Sequence, residues 1–189
     1  MKIEELEKTL KECIKNAKRD EKNGIKHKGL LIKNPNEEEA REYLEKAKRE
    51  LELCDFYREK GFDYKIPEEW FYTLYYCALA ILSKFGIETR SQKYTALFLE
   101  YVKLKGLIEY DNDFIKRITV YLKKGEESDV DKREEARYSS AIKIESVNER
   151  YEEVNNLCKK AISQAGDIVF SNQKFEIPKE IILSFFSLS

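Results

Sequence analysis

The chain has few of the residues on which common catalytic and binding motifs depend. It contains one histidine, His27, and no GxxxxGK[ST], GxGxxG or HExxH motif. A histidine-based triad, a phosphate-binding loop, a dinucleotide fold and a zincin site therefore lack their necessary parts. As a lone histidine in the segment GIKHKG, His27 is interpreted as a solvated loop residue, with a catalytic or phosphate-contacting role as the alternative.

Charge of one sign and long apolar runs are also missing. The 35 basic residues are balanced by 36 acidic ones, so no overall basic field attracts DNA or an anionic membrane. No run reaches the roughly 18 apolar residues that a membrane span needs. The sequence predicts a cytoplasmic protein. Its charged content of 38%, with only 7 glycines and 3 prolines, is thermophile-like and could indicate an archaeal source.

The four cysteines lie at positions 13, 54, 77 and 158, too far apart for a CxxC metal knuckle. Because each falls on or near an apolar helical face, we interpret them as buried reduced thiols. The many acid pairs are interpreted as solvated helix faces rather than a carboxylate metal cluster. No metal, cofactor or catalytic residue is predicted.

The sequence is rich in helical periodicity. Residues 70–102 show apolar positions at three- and four-residue spacing, interrupted by Gly86 and a polar restart, which predicts a helix hairpin. Asn36 and Ser91 are expected to cap helices, and Pro67 suits a first turn. The predicted division is an N-terminal helix and loop (1–35), a helical bundle (36–166) and a C-terminal tail packed on the bundle (167–189).

The last helix of the bundle is predicted from about Glu126 to Gln164, before Gly166. The following tail, FEIPKEIILSFFSLS, is too apolar to extend into solvent, so it either packs on the bundle or docks a partner. The fold class is therefore all-α: an antiparallel up-and-down bundle of four to five core helices, with an extra N-terminal helix and an apolar tail.

Tyrosine is abundant, with 12 residues. Tyr72, Tyr75 and Tyr76 fall within one and a half helical turns, so their rings cannot all point one way. At least one should face a groove or a partner, where a phenol contributes both a ring and a hydroxyl. The alternative is that these residues are core aromatics with partly exposed hydroxyls.

The order of these segments resembles the HEPN superfamily (higher eukaryotes and prokaryotes nucleotide-binding domain) from Ala40 to about Ala165. The resemblance rests on YLEKAKRELELCDFY at 43–57, TLYYCALAILSKFGIETRSQ at 73–92, the spacing of Phe98, Val102, Gly106 and Ile108, and REEARY at 133–138. It implies a helical bundle that is usually dimeric and is often paired with a small nucleotidyltransferase in toxin–antitoxin systems. Active members are metal-independent ribonucleases in which a histidine follows an arginine by four to six residues.

This chain departs from the active pattern. Gln92 stands where related sequences often have histidine, and no histidine follows Arg133 or Arg137. Glutamine cannot exchange a proton near neutral pH, so the sequence predicts a non-catalytic protein. The predicted ligand-binding residues are Gln92, Arg133, Arg137, Tyr138 and Tyr76.

The two arginines lie four residues apart, so they share a helix face. There they could grip a phosphate or a partner's carboxylate. The alternative is intrahelical pairing with nearby acids at positions 129, 134 and 135.

Three functions remain open. The favoured one is a homodimeric module that binds a nucleotide, RNA or a nucleotidyltransferase-type protein in a toxin–antitoxin or defence system. The second is a ribonuclease with an atypical site that recruits His27 across a dimer. The third is a structural subunit of a larger assembly.

Overall fold

The computed structural model describes residues 2–119 and 144–182 of the 189-residue chain. Within these residues it has seven α-helices, a two-stranded sheet and a 3-10 turn. The helices are α1 (Ile3–Lys22), α2 (Glu37–Glu59), α3 (Ile66–Phe85), α4 (Gln92–Leu104), α5 (Asn112–Ile118), α6 (Ile144–Val169) and α7 (Lys179–Ile182); the strands are β1 (Leu30–Ile32) and β2 (Ile87–Thr89); the turn is Asp63–Lys65. The prediction of an all-α bundle is confirmed.

Helices α2 and α3 form an antiparallel hairpin with local signals at its ends. The Asn36 side chain accepts a hydrogen bond from the backbone of Glu39 at 3.0 Å and caps α2. Gly86 ends α3 in the left-handed conformation, with φ of 71°. At one end of the hairpin Lys84 contacts Glu37, so the end of α3 lies beside the start of α2. The hairpin therefore brings together residues that are distant in sequence.

Helix α6 packs against both helices of this hairpin and forms one buried and one partly buried side-chain hydrogen bond with them. The Trp70 indole donates to Asn155 Oδ1 at 2.8 Å, and the Tyr151 hydroxyl donates to Asp55 Oδ1 at 2.5 Å. Asn155 is only 3% exposed, so water cannot reach its side-chain oxygen. The indole of Trp70 therefore provides the hydrogen bond that this buried oxygen needs. These bonds fix the register of α6 on α2 and α3.

The predicted end of α6 is wrong. The helix continues through Gly166 to Val169, although glycine inside a helix costs about 1 kcal/mol relative to alanine. Gly166 faces the side chain of Leu44 on α2, and this tertiary contact supports helix where local preference favours a stop. The predicted start of this helix, near Glu126, lies outside the described residues.

Helix α1 and the described part of the tail share the core of the bundle. The apolar stripe of α1, predicted from its spacing, is buried: Leu6, Leu10, Cys13, Ile14 and Ala17. From the tail, Phe175 and Ile181 are buried, and the Phe175 ring lies 4.9 Å from the ring of Phe85. One continuous core thus joins α1, the hairpin, α6 and the tail up to Ile182. The three predicted segment boundaries stay a prediction.

The segment after α1, expected to be a loop, contains strand β1. It pairs antiparallel with β2, with Leu30 opposite Thr89 and Ile32 opposite Ile87. Two further backbone bonds extend the pairing, from Lys33 to Gly86 and from Arg90 to Gly29. Strands of three residues are too short to show an alternating pattern, so periodicity could not predict them.

All four cysteines are buried free thiols, as predicted. In the described ranges no group of three or more potential metal-ligating side chains is present. Of the helices in those ranges, none is long and apolar enough to cross a membrane. The cytoplasmic location stays a prediction.

Candidate functional site: a tyrosine surface

Three tyrosines from the α2–α3 hairpin stack side by side at the protein surface. The ring centroids of Tyr43 and Tyr76 lie 6.1 Å apart with an interplanar angle of 18°, and those of Tyr72 and Tyr76 lie 5.9 Å apart at 26°. Each of the three side chains is partly exposed. We call this row, Tyr43, Tyr76 and Tyr72, the tyrosine ladder.

The ladder follows from helix geometry and from the hairpin. Tyr72 and Tyr76 are four residues apart, so they lie one above the other on α3, and antiparallel packing brings Tyr43 of α2 beside them. Tyr75 points elsewhere, because it stacks on Phe71 at 5.7 Å and hydrogen-bonds to Thr95 of α4. The tyrosines of α3 therefore divide between two sides of the helix, as helical spacing requires.

One ammonium group lies close to the ladder. Lys46 Nζ is 5.2 Å from the centroid of Tyr43 and 6.0 Å from that of Tyr76, and the lysine is exposed. Both distances are within the range in which a cation is attracted to an aromatic face. The ladder thus combines near-parallel rings with a positive charge that solvent and ligands can reach.

The phenols of Tyr43 and Tyr76 are hydrogen-bond donors at neutral pH. Burial, followed by the charge of Glu39, raises the pKa of Tyr43. Burial, followed by the charge of Glu50, raises the pKa of Tyr76. Both hydroxyls therefore stay protonated, and the surface offers neutral rings with polar edges.

A pair of carboxyl groups lies next to the ladder, where Glu69 of α3 meets Glu50 of α2. Glu69 is only 8% exposed. Its burial, the hydrogen bond that it shares with Glu50 and the charge of Glu50 raise the pKa of Glu69 to about 8. Near neutral pH Glu69 therefore keeps its proton and adds little negative charge, which lessens the repulsion of an anionic ligand.

The other acids near Tyr43 are already paired. Glu39 Oε2 accepts a hydrogen bond from Ser83 at 2.5 Å. Glu88 accepts bonds from His27 at 3.1 Å and from Arg90 at 3.2 Å. Partial burial acts to raise the pKa of Glu88, but the bond from His27 and the neighbouring positive charges outweigh it and lower the pKa. Glu88 thus forms an ion pair with Arg90, whereas Glu39 keeps its charge and has a neutral hydroxyl as its partner.

The prediction that His27 is solvated is wrong. The ring is 3% exposed, with Nε2 3.1 Å from Glu88 and Nδ1 accepting a bond from the backbone of Gly29 at 3.3 Å. The pairing of β1 with β2 places Glu88 beside His27, which the sequence could not indicate. Because both ring nitrogens are engaged, His27 would have to break one of these bonds to exchange a proton with a substrate.

The structure describes two of the five predicted site residues. Tyr76 belongs to the ladder and faces α2, whereas Gln92 is the first residue of α4, the helix that meets Tyr75. Arg133, Arg137 and Tyr138 lie outside the described residues, so their grouping with Gln92 stays a prediction.

Sequence reasoning missed Tyr43 and Lys46 as members of the site, whereas Tyr72 was among the tyrosines expected to supply a groove or partner contact. The signal that could have found them is the hairpin itself, because folding α2 back on α3 sets Tyr43 against the Tyr72–Tyr76 pair.

Comparison of the chain with protein-family models, with curated proteins and with solved structures gives no match in any of the three. The HEPN resemblance therefore stays a prediction that rests on the residues alone.

Proposed function

We propose that this chain is a non-catalytic, HEPN-like binding protein whose tyrosine ladder stacks the bases of single-stranded RNA. The observation that carries the proposal is the row of near-parallel, partly exposed rings at 5.9 and 6.1 Å with Lys46 above them. Proteins that bind single strands combine aromatic platforms for the bases with positive charge for the backbone. The ion pair of Glu88 with Arg90 limits the repulsion of the phosphates by this carboxylate.

The experiment is a titration of a fluorescently labelled single-stranded oligoribonucleotide, followed by anisotropy. Base stacking on one aromatic ring is worth about 1–3 kcal/mol, so Tyr76→Ala should weaken binding by roughly 5- to 150-fold. Tyr76→Phe keeps the ring and should bind nearly as well as the wild type. Tyr64→Ala is the matched control, because Tyr64 is also partly exposed but lies in the 3-10 turn.

Lys46 provides a second test on an exposed residue, whose replacement leaves the core intact. Lys46→Gln should lower the salt dependence of the dissociation constant by about 0.7 in the log–log slope, the value for one phosphate contact on a single strand. Lys15→Gln on α1 is the control, since Lys15 is exposed on another helix. Absence of RNA binding, or binding that ignores both Tyr76→Ala and Lys46→Gln, would refute the proposal.

A ribonuclease with an atypical site is the second candidate, favoured by the Glu50–Glu69 pair. A carboxyl group that titrates near neutral pH can serve as a general acid or base, and this pair adjoins the ladder. RNA cleavage that persists in the presence of a chelator and is lost in Glu50→Gln would support this function over simple binding.

Partner binding is the third possibility, and exposed aromatics favour it. Phe56, Phe62 and Tyr64 at the α2–α3 connection are 49%, 46% and 36% exposed. The proposed partners are a second copy of the chain, through α6, and a nucleotidyltransferase-type protein. Light scattering tests the first, with a dimer mass expected, and co-purification of a stoichiometric protein without nucleic acid would favour a structural subunit.

A further inference from the structure

A cavity separate from the tyrosine ladder lies between the start of α2, the end of α3 and the segment that follows α6. Its volume is about 490 Å³, within the range of small-molecule sites. The lining residues that matter here are Glu37, Arg41, Lys84, Phe170 and Lys174. We call it the Lys84 pocket.

Lys84 is a buried cation at the inner wall of this pocket. It is 5% exposed, and its ammonium group donates to Glu37 Oε1 at 2.7 Å and to the backbone carbonyl of Ser171 at 3.3 Å. A buried ammonium needs an anionic partner, because burial removes the water that would otherwise stabilise its charge. In this pocket that partner is the carboxylate of Glu37.

Glu37 reaches Lys84 from the solvent side. Its side chain is 60% exposed, and Oε2 lies 3.8 Å from Arg41 Nη2. The carboxylate therefore bridges a buried cation and an exposed one. The bond from Lys84, the charge of Lys84 and the charge of Arg41 lower the pKa of Glu37, so the bridge stays anionic at neutral pH.

An exposed aromatic ring lies beside Arg41 in the same pocket. Phe170 is 58% exposed, and the guanidinium carbon of Arg41 lies 5.8 Å from the ring centroid. The pocket thus presents two positive charges that hold an oxyanion, next to an open apolar face. A ligand that fits both features carries an oxyanion and a planar ring.

We propose that the Lys84 pocket binds a phosphate monoester attached to a planar base, the chemistry of a nucleoside monophosphate. The phosphate takes the place of the Glu37 carboxylate between Lys84 and Arg41, and the base lies on Phe170. Glu37 is then a built-in competing anion that neutralises Lys84 while the pocket is empty. This site shares no residue with the tyrosine ladder and does not depend on RNA binding there.

The test is calorimetric titration of the full chain with AMP, inorganic phosphate and adenosine. Glu37→Gln removes the competing carboxylate and raises the local positive charge, so it should tighten the binding of AMP and of phosphate by roughly tenfold. Glu38→Gln is the matched control, because it removes the same charge from the neighbouring exposed position and should change affinity less than twofold.

Two further variants separate the contribution of the phosphate to affinity from that of the base. Arg41→Gln should weaken both anions by roughly tenfold, whereas Arg49→Gln, the same change at an exposed position two turns along α2, should not. Phe170→Ala should weaken AMP but not inorganic phosphate, and adenosine should bind far more weakly than AMP. AMP binding that is no tighter than phosphate, or that ignores Phe170→Ala, overturns the assignment of a nucleotide.

A thermal measurement keeps the proposal testable even where affinity is low. Glu37→Gln leaves Lys84 without its anion, so its melting temperature should fall below that of wild type in phosphate-free buffer and rise more than wild type when phosphate is added. Glu38→Gln should show neither effect. A Glu37→Gln protein whose affinity and melting temperature respond to phosphate no more than those of wild type would overturn the site.

Discussion

Replacing Gly86 tests how closely the segment after β1 packs against the end of α3. Its φ of 71° is left-handed, and a Cβ at this position would lie 2.5 Å from the carbonyl oxygen of Lys33 and 2.8 Å from the backbone nitrogen of Pro35. Both are backbone atoms, which cannot rotate away as a side chain can. Gly106 has nearly the same φ, 69°, but nothing lies within 4 Å of its Cβ position. The two glycines therefore differ mainly in what surrounds them.

Alanine at each position should separate conformational strain from steric conflict. Left-handed backbone costs a non-glycine residue about 1–2 kcal/mol, which is the loss of stability expected for Gly106→Ala. At Gly86 the same strain applies, and forcing atoms into a packed region adds about 1–3 kcal/mol. The total for Gly86→Ala is about 2–5 kcal/mol.

Urea unfolding followed by far-UV circular dichroism measures both losses. With a slope near 2 kcal/mol per molar urea, Gly106→Ala should lower the midpoint by about 0.5–1 M and Gly86→Ala by about 1–2.5 M. Equal midpoints for the two variants would show that the segment after β1, at Lys33 and Pro35, does not approach Gly86 as closely as described, and the reasoning would fail.

Three other results are expected. Because the pKa of Glu69 is raised in the folded state, the folded protein holds a proton that the unfolded chain releases above about pH 4.5. The free energy of unfolding should therefore fall as the pH rises from 5 to 8. Urea titrations at each pH should show a smaller fall for Glu69→Gln than for the wild type. A double-mutant cycle of Trp70→Phe and Asn155→Ala should give a coupling of about 1 kcal/mol, and zero coupling would deny their bond. The four buried thiols should react with Ellman's reagent only after urea unfolds the chain; rapid reaction of the native protein would contradict their burial.

The predicted helices were correct where the signals are local. Asn36, Gly86 and Ser91 act at helix ends through bonds or dihedral angles that involve residues no more than four positions away. The apolar stripe of α1 is likewise a property of one segment, since periodic spacing defines one face of a helix. Such features can be predicted because they need no knowledge of which elements later meet.

The predictions that were wrong concern features that depend on contacts between distant segments. His27 is buried because β2, some sixty residues away, supplies Glu88, and the three-residue strands carry no periodicity that could predict their pairing. Helix α6 passes through Gly166 because α2 packs there. In each case a contact between distant segments outweighs the local preference.

The candidate sites show the same division. The sequence determined that α3 carries tyrosines pointing to more than one side and that α2 begins with three glutamates. Only the tertiary structure decided that Tyr43 completes a stack with Tyr76, that Glu69 is buried beside Glu50, and that Glu37 neutralises Lys84. The physical reason is that ring stacking, contacts between carboxyl groups and buried ion pairs depend on ångström-scale distances between helices, which the antiparallel packing of α2 on α3 sets.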